Sequence, residues 1–394
     1  MKRIALFVAM LLIGAPAAIA TPKPVAVKKL TLIPVNAGTE KIVISGKTII
    51  TISNSDGLNS NILISGLDIS GTQLWQKTID SGVDEVALAA TTDPSGNIWL
   101  AGASAPLVAT DTATTVIQAE NPDGVVVEPS TTLRGDMNLL TVWKISVIGE
   151  VIATYSSALV APALINAISA NNSGVSIAGI VQDKPFIQSA NTLGVFGKPT
   201  FIGTAKTSLN AIVRQGDGSV SVFGSSSETL GGKKLAGRRD GVLIKVAKSG
   251  AIASVVRSSA PKADRSWLTA DNSLALSGYV KTGKVVETAF TKFTSTFAPT
   301  WTMRVPSLGS SAIVSAGNST YGAFANNSAV TGISGWRPTS ASLLLLTFDA
   351  KGLITAAFGS SDLIEPISLA YSRDLGVIGL AKTATHSVSL FKLS

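Results

Sequence analysis

Short runs of apolar residues alternate with polar residues along most of the chain. The runs are rich in Val, Ile, Leu and Thr, and clusters of Gly, Asn, Asp and Ser separate them, as in residues 41–44, 97–100 and 219–223. An apolar residue at every second position is typical of a half-buried β-strand, whereas an amphipathic helix repeats every three or four residues. No segment beyond residue 29 shows a convincing helical pattern. The alternation therefore predicts an all-β protein.

One hairpin signature recurs seven times along the chain. A strand ends in a tight turn that contains Gly, Asn or Asp, and a second apolar strand follows that usually ends in small residues. The turns lie about 55 residues apart on average, and a repeat of about 40–50 residues with four short strands is the signature of a β-propeller. The turns fall near Gly46, Gly96, Gly174, Gly218, Asn272, Asn318 and Gly376.

A second strand pair follows most hairpins and would supply the two outer strands of a blade. The pair is weakest in the third unit, where residues 185–203 must provide it. The last unit ends after one outer strand, and residues 30–36 form an unmatched strand near the other end of the chain. Pairing these two strands would remove two exposed sheet edges. We therefore predict one seven-bladed β-propeller over residues 30–394, closed by its N-terminal strand; a pair of β-sandwich domains is the alternative.

The third strand of several units has the pattern apolar–Lys–apolar, as in residues 142–145, 243–246 and 289–293. These units resemble the repeats of bacterial secreted seven-bladed β-propeller proteins, in which a Gly-containing strand pair precedes such a strand. Residues 71–75, Gly-Thr-Gln-Leu-Trp, show a weaker resemblance to the Trp-ended strands of quinoprotein-like propeller repeats. The first resemblance covers nearly the whole chain after residue 29. It implies a propeller fold, and its motifs carry no catalytic residue.

The N-terminal 20 residues have the organisation of a secretory signal peptide. Lys2 and Arg3 precede an apolar segment over residues 4–13, and small residues flank a cleavage point before Thr21. That segment is short for a hydrocarbon core of about 30 Å, so cleavage is favoured over an uncleaved membrane anchor. Residues 21–29, which contain Pro and Lys, are expected to form an extended tether. We expect the mature chain to be secreted or extracytoplasmic, in the periplasm or at the cell surface, and monomeric, with no transmembrane span after cleavage.

The composition excludes several kinds of chemistry. Only 14% of the 394 residues are charged, Cys is absent, and His386 is the single histidine. A chain without Cys has no disulfides, thiolate metal sites or Cys nucleophiles, and one His cannot supply a two-His metal site. His386 is predicted to lie in an outer strand, and no Gly-x-Ser-x-Gly segment accompanies it to build a catalytic triad. We therefore expect a surface histidine and no cofactor.

Four Asp residues in predicted turns raise the question of calcium binding. None has the alternating Asp-x-Asp-x-Asp spacing that collects several oxygen ligands on one ion. Asp favours turns because its carboxylate accepts hydrogen bonds from backbone N–H groups two residues on. We therefore expect turn capping rather than a metal site at Asp93, Asp123, Asp217 and Asp271.

Three long segments are predicted between the second and third strands of their units, on the propeller face that commonly binds ligands. Residues 105–138 are acidic, residues 225–240 are basic, and residues 326–341 carry a Trp beside a cation. The cations could hold an anionic glycan, a phosphate-bearing envelope polymer or an acidic protein partner. The simpler interpretation, which four cations alone favour, is that they keep a charge-poor β protein soluble. The candidate ligand-binding residues are Lys233, Lys234, Arg238, Arg239, Trp336 and Arg337.

The chain contains six Trp residues, and five of them fall in predicted strands, where we expect them to pack between blades. Trp336 is the exception, because it lies in a predicted loop beside Arg337 and Pro338. We expect it to be exposed, in an arrangement that suits stacking on a sugar or a peptide. The other five are Trp75, Trp99, Trp143, Trp267 and Trp301.

These observations predict a secreted, non-enzymatic β-propeller that acts as a binding or scaffold protein of the cell envelope. Nucleic acid is not expected as a partner, because no stripe of basic and aromatic residues is present. The alternative is an envelope enzyme on a propeller scaffold. A hydrolase or lyase would need paired carboxylates near the central channel, and a quinone-dependent dehydrogenase would need an axial Trp and a bound calcium. The acids placed before inner strands are Asp84, Glu85, Asp264 and Glu365.

Overall fold

The computed structural model describes residues 24–55, 60–107 and 135–394, and their regular structure consists of 29 β-strands without a helix. The all-β prediction is confirmed. The strands are β1 (Val25–Ile33), β2 (Lys41–Ser45), β3 (Thr48–Ser55), β4 (Asn61–Leu67), β5 (Gln73–Ile79), β6 (Glu85–Thr92), β7 (Ile98–Ser104), β8 (Leu139–Ile145), β9 (Val151–Ala158), β10 (Ala163–Asn171), β11 (Gly174–Val181), β12 (Lys184–Ala190), β13 (Thr200–Phe201), β14 (Thr207–Arg214) and β15 (Val220–Ser226). They continue as β16 (Asp240–Val246), β17 (Ile252–Ser258), β18 (Asp264–Ala270), β19 (Ala275–Thr282), β20 (Val285–Phe293), β21 (Pro299–Pro306), β22 (Ser311–Ala316), β23 (Ser319–Asn326), β24 (Ile333–Ser334), β25 (Ser342–Phe348), β26 (Ile354–Ser360), β27 (Leu363–Ser372), β28 (Gly376–Thr383) and β29 (Val388–Leu393).

Three of the predicted features fall on residues outside these ranges. The predicted signal peptide and residues 21–23 of the predicted tether lie outside the described residues, as do residues 108–134 of the acidic segment. Within the described ranges, no helix has the length and apolar character needed to cross a membrane.

Five sheets contain four antiparallel strands each, in the order of the sequence. Their first two strands are the predicted hairpins; the turn between β14 and β15, for example, contains Gly218 with a φ of 82°. The weak outer pair of the third unit is also present, although β13 has only two residues. We refer to β2–β5, β6–β9, β10–β13, β14–β17 and β18–β21 as the first to fifth sheets.

The remaining strands form one nine-stranded sheet that contains β1. Its order is β22-β23-β25-β26-β1-β29-β28-β27, and the short β24 also pairs with β1. β1 runs parallel to β26, with Val27 opposite Ala357, and antiparallel to β29, with Leu30 opposite Leu393. Because the edge of β26 is open to pairing, the strand begins at Val25 rather than at residue 30. Residues 25–29, expected in the tether, are therefore part of a sheet.

Apolar side chains fill the spaces between neighbouring sheets. Four buried clusters each lie between two successive sheets: the first and second, the second and third, the third and fourth, and the fourth and fifth. Three more join the fifth sheet to β22–β26, then β22–β26 to β27–β29, and then β27–β29 to the first sheet. The five strand Trp residues contribute to these clusters as expected; Trp143 and Trp267 have no exposed surface. Burial of apolar area at about 25 cal/mol per Å² is the main stabilising term in such interfaces.

A β-bulge recurs in the first strand of several sheets. In the fourth sheet the register shifts between Leu209 and Ala211, which leaves Asn210 without a cross-strand partner. The bulge brings β14 so close to β15 that a Cβ on Gly224 would overlap the carbonyl oxygen of Ser208. The bulge therefore requires glycine at this position of the second strand. Equivalent shifts lie between Ala87 and Ala89, Ile165 and Ala167, Trp267 and Thr269, and Pro366 and Ser368.

Candidate functional site

A central cavity of about 350 Å³ lies where the first strands of the sheets converge. Strands β2, β6, β10, β14, β18, β22 and β27 all contribute to its wall. Aliphatic side chains alternate there with hydroxyls and amides, including Asn166 and Asn210 at two of the bulges, and Lys41 supplies a cation. Among the described residues, no Asp or Glu lines this cavity.

The side-chain amides of Asn166 and Asn210 in the cavity wall connect neighbouring sheets. Asn166 Nδ2 donates to the carbonyl oxygen of Leu209 at 2.8 Å. Asn210 Nδ2 donates to the carbonyl oxygen of Trp267 at 2.8 Å. Each acceptor immediately precedes a bulge, where the regular ladder is interrupted, so the amide of one sheet bonds to the backbone of the next. Both amide nitrogens are therefore already hydrogen-bonded within the wall of the cavity.

The four acids considered for catalysis lie in three different sheets. Asp84 and Glu85 are at the start of the second sheet, Asp264 is at the start of the fifth, and Glu365 is in β27. Glu365 Oε2 lies 2.9 Å from Lys382 Nζ, so that acid has a cation beside it. In the part of the chain that the structure describes, no three Asp, Glu or His side chains are grouped closely enough to hold a metal ion.

A buried ion pair holds the basic segment, residues 225–240. Asp240 opens β16 with no exposed side-chain surface, and Nη1 of Arg257 in β17 lies 3.1 Å from its Oδ2. Asp240 also accepts the backbone N–H groups of Ala236 at 3.0 Å and Gly237 at 2.8 Å. Arg257 Nε donates to the carbonyl oxygen of Lys233 at 3.1 Å. Because both ionised groups bond to the loop backbone, they fix the segment against the sheet.

The four cations of the basic segment are exposed, and none has a carboxylate within ion-pair distance in the described ranges. The end of the segment is attached to the fifth sheet. Arg239 forms a parallel bridge with Asp264, and its carbonyl oxygen accepts the N–H of Arg265 at 2.9 Å. The segment therefore spans the seam between the fourth and fifth sheets. The exposed cations are Lys233, Lys234, Arg238 and Arg239.

Trp336 is buried, and the expectation that it is exposed is wrong. Only 8% of its surface is accessible, and its Nε1 donates to Asn326 Oδ1 at 3.0 Å. The ring packs over Gly359 of the outer strand, where a Cβ would collide with it, so the missing side chain provides the space for the indole. Arg337 is exposed and lines a cleft of about 330 Å³ together with Lys29 of β1. The six candidate residues thus occupy two places, four on the basic segment and two beside the β1 cleft.

A fifth cation at the seam, Arg265, was not among the sequence candidates. Its guanidinium carbon lies 4.4 Å from the ring centre of Trp267. Burial and, to a smaller extent, the nearby positive charge of Arg304 together lower the pKa of Arg265 to about 10. The Nε of Arg265 is buried without a hydrogen-bond acceptor among the described residues. The sequence signal is the Arg-x-Trp spacing, which places both side chains on one face of a strand.

The turn-capping prediction is confirmed for the three Asp residues that are described. Asp217 Oδ1 accepts the N–H of Ser219 at 2.8 Å and its hydroxyl at 2.6 Å. The Ser219 hydroxyl is the main reason that the pKa of Asp217 lies below its ordinary value. Asp93 and Asp271 cap their own turns in the same way. Asp123 lies outside the described residues.

His386 lies in the turn between β28 and β29, so its predicted position in an outer strand is wrong. Its backbone has a φ of 61°, in the left-handed region that tight turns use. The side chain is exposed, as expected for a surface histidine.

Comparison with solved structures shows a β-propeller fold. The chain is similar to the WD40 domain of coronin from Toxoplasma gondii, with a TM-score of 0.50 and 10% identity over 94% of this chain and 88% of that one. A candidate 6-phosphogluconolactonase from Bacteroides uniformis gives a TM-score of 0.51 at 10% identity, over 88% of this chain and 92% of that one. A second, from Bacteroides fragilis, gives 0.50 at 10% identity, over 92% and 93%. The sequence matches no family model and no curated protein. At this identity the likeness confirms the propeller architecture and says nothing about activity.

Proposed function

We propose that this chain is a non-enzymatic binding protein of the cell envelope whose ligand is an anionic polymer. The observation that carries the proposal is the basic segment, which presents four exposed cations on a backbone held by the Asp240–Arg257 pair; within the described ranges none of the four has a carboxylate partner. A loop already fixed in one conformation loses little entropy on binding. Clustered charge of one sign also attracts an oppositely charged partner over a distance of about 10 Å at moderate salt.

The exposure of the cations favours a polymer over a small ion as the ligand. An exposed ion pair contributes about 0.2–1 kcal/mol, so one contact gives a weak interaction. Four contacts made at once would give at most about 4 kcal/mol, which is close to a thousandfold in affinity. A chain that carries several negative groups can make these contacts together, whereas a single small anion cannot.

The proposal also covers the number of blades in the propeller and the extracytoplasmic location of the protein. We infer seven blades, with β22, β23, β25 and β26 as the sixth and β27, β28, β29 and the second half of β1 as the seventh. The circular series of clusters between neighbouring sheets supports this count, because the last one joins β27–β29 to the first sheet. An N-terminal segment with the organisation of a signal peptide supports export.

The experiment is a binding assay of residues 21–394 on an array of anionic and neutral envelope glycans and polymers. The test variant is Lys233/Lys234/Arg238/Arg239→Ala, and we expect it to lose most of the binding. Added salt should weaken wild-type binding because the cations are exposed. A neutral glycan that binds as tightly as every anionic one would contradict the proposal.

The matched control removes four other exposed cations. These lie in turns at the opposite ends of the strands. Because four cations are removed in each case, the control has the same net charge as the test variant. We expect the control to retain binding; equal loss in both variants would show that net charge alone matters and would refute the proposed face. The control variant is Lys47/Lys248/Lys351/Arg373→Ala.

A further inference from the structure

The seam between the fourth and fifth sheets contains two buried N–H donors without acceptors. Arg265 Nε and Trp267 Nε1 both lack a hydrogen-bond partner among the described residues. Trp267 has no exposed surface, and its Nε1 lies against Gly241 of β16, 2.9 Å from where a Cβ would stand. More than nine-tenths of buried polar groups in proteins are hydrogen-bonded. Two unsatisfied donors on one face of β18 therefore indicate an acceptor that the described residues do not supply.

The charges at the seam lead to the same conclusion. Two of the nearby arginines are neutralised, since Arg257 pairs with Asp240 and Arg304 pairs with Glu287. Arg265 has no carboxylate partner in the described part of the chain, although it is partly buried against Trp267. A cation that is withdrawn from water and left unpaired destabilises the protein until an anion is bound.

The basic segment lies next to this unpaired cation. The N–H of Arg265 donates to the carbonyl oxygen of Arg239 at 2.9 Å, so the two residues are direct neighbours across the seam. Arg238 also donates its N–H to the carbonyl oxygen of Ala263, which fixes the end of the segment beside the start of β18. An anion at Arg265 would therefore be within reach of the exposed cations of the segment.

We infer that this seam binds a tetrahedral oxyanion, a phosphate or sulfate group, with Arg265 as the innermost ligand. A guanidinium presents N–H donors in a planar fork that matches two oxygens of such a group, and the Trp267 ring holds that plane. A tetrahedral group has further oxygens for the cations of the basic segment. The inference rests on the proposed function, because it names the chemical group that the basic segment would recognise on its polymer.

Thermal unfolding of residues 21–394 tests the site with inorganic phosphate, inorganic sulfate and acetate as probes, at constant ionic strength set with chloride. Bound anion raises Tm in a saturable way. We expect saturable stabilisation by phosphate or sulfate and at least tenfold weaker apparent affinity for acetate. The phosphate and sulfate arms identify which ester the polymer carries. Equal response to all three anions would overturn the inference of a tetrahedral group.

The decisive variant is Arg265→Met, which retains an apolar stem against Trp267 and removes the charge. We expect it to lose the saturable response while its Tm in chloride alone stays equal to or above that of the wild type. Arg265→Lys retains the charge without the fork and should weaken phosphate binding at least tenfold. Arg373→Met, at an exposed turn, is the control that should respond as the wild type does. A phosphate response that is unchanged in Arg265→Met would overturn the site.

The quadruple variant of the basic segment separates this inference from the proposed function. If it binds polymer as the wild type does, while the phosphate response still depends on Arg265, the oxyanion site stands and the polymer face is wrong. If it loses polymer binding and Arg265→Met responds to phosphate normally, the polymer face stands and the oxyanion site is wrong.

Discussion

Replacing Asp240 by Ala is expected to destabilise the protein strongly and to release the basic segment. The Asp240 carboxylate is fully buried and makes an ion pair with Arg257, of whose side chain only 7% is exposed. It also accepts the N–H groups of Ala236 and Gly237. The variant would therefore leave a buried cation without its counter-ion and two backbone donors without acceptors.

The expected magnitude follows from this burial. Removing one partner of a buried ion pair costs about 3–5 kcal/mol, because the remaining charge is uncompensated. We expect the free energy of unfolding to fall by about 4 kcal/mol. With about 2 °C of Tm lost per kcal/mol in a large domain, Tm should decrease by about 8 °C.

The assay is urea and thermal unfolding of the wild type and four variants, monitored by tryptophan fluorescence and circular dichroism. In a double-mutant cycle, Asp240→Ala with Arg257→Met should be less destabilised than the sum of the single variants by about 1–3 kcal/mol. Asp374→Ala, an exposed turn residue, is the control and should change stability by less than about 0.5 kcal/mol. A loss below about 1 kcal/mol for Asp240→Ala, or strict additivity in the cycle, would refute the reasoning.

Two further predictions concern the scaffold. Gly224→Ala should lower the free energy of unfolding in urea by about 1–3 kcal/mol, because the added Cβ overlaps the Ser208 carbonyl oxygen. Gly216→Ala is the control, since nothing lies within 4 Å of its added Cβ, and it should not lower this free energy. Similar effects of the two substitutions would contradict the bulge argument. Stability should also decline as pH falls below about 4. Burial raises the pKa of Asp93, but hydrogen bonds from N–H donors, led by Trp99, outweigh this effect. The pKa in the folded protein therefore lies below the ordinary value. The ionised carboxylate therefore stabilises the fold above the unfolded pKa, and this contribution is lost as pH falls through the folded pKa; Asp93→Asn should flatten the acid limb of a stability–pH profile, and an unchanged limb would contradict the assignment.

The hairpins of the fold could be predicted from the sequence because they are local. A turn such as that at Gly218 needs a residue with a left-handed backbone conformation between two apolar strands. Both features can be recognised from neighbouring positions in the sequence. From the sequence alone, the glycine near the end of the second strand is only one of several small residues there. Its reason is the bulge opposite, which depends on how the strands pair.

Features that depend on distant partners could not be predicted in the same way. Trp336 has the sequence context of an exposed loop residue, and its burial depends on Gly359 in another strand. Lys28 was expected in a tether, yet it lies in β1 with its Nζ 5.8 Å from the ring centre of Phe358, because the edge of β26 accepts a further strand.

The candidate site was partly predictable for the same reason. The four cations of the basic segment are adjacent in sequence, and the structure keeps them together on one exposed loop. Arg265 belongs to no such cluster. The Arg-x-Trp spacing places it on one strand face with Trp267, but its importance arises from burial against that ring and from the lack of a neighbouring carboxylate partner in the described ranges. Such a property belongs to the packed seam and not to any short stretch of the chain.

Hydrogen–deuterium exchange of residues 21–394, with and without a polyphosphate chain, tests the central claim most directly. The account predicts slower exchange on binding in residues 227–240 and in the first residues of β18, with the turns at the opposite strand ends unchanged. Protection confined to those opposite turns, such as residues 191–199 and 215–219, with no change in the basic segment, would contradict it.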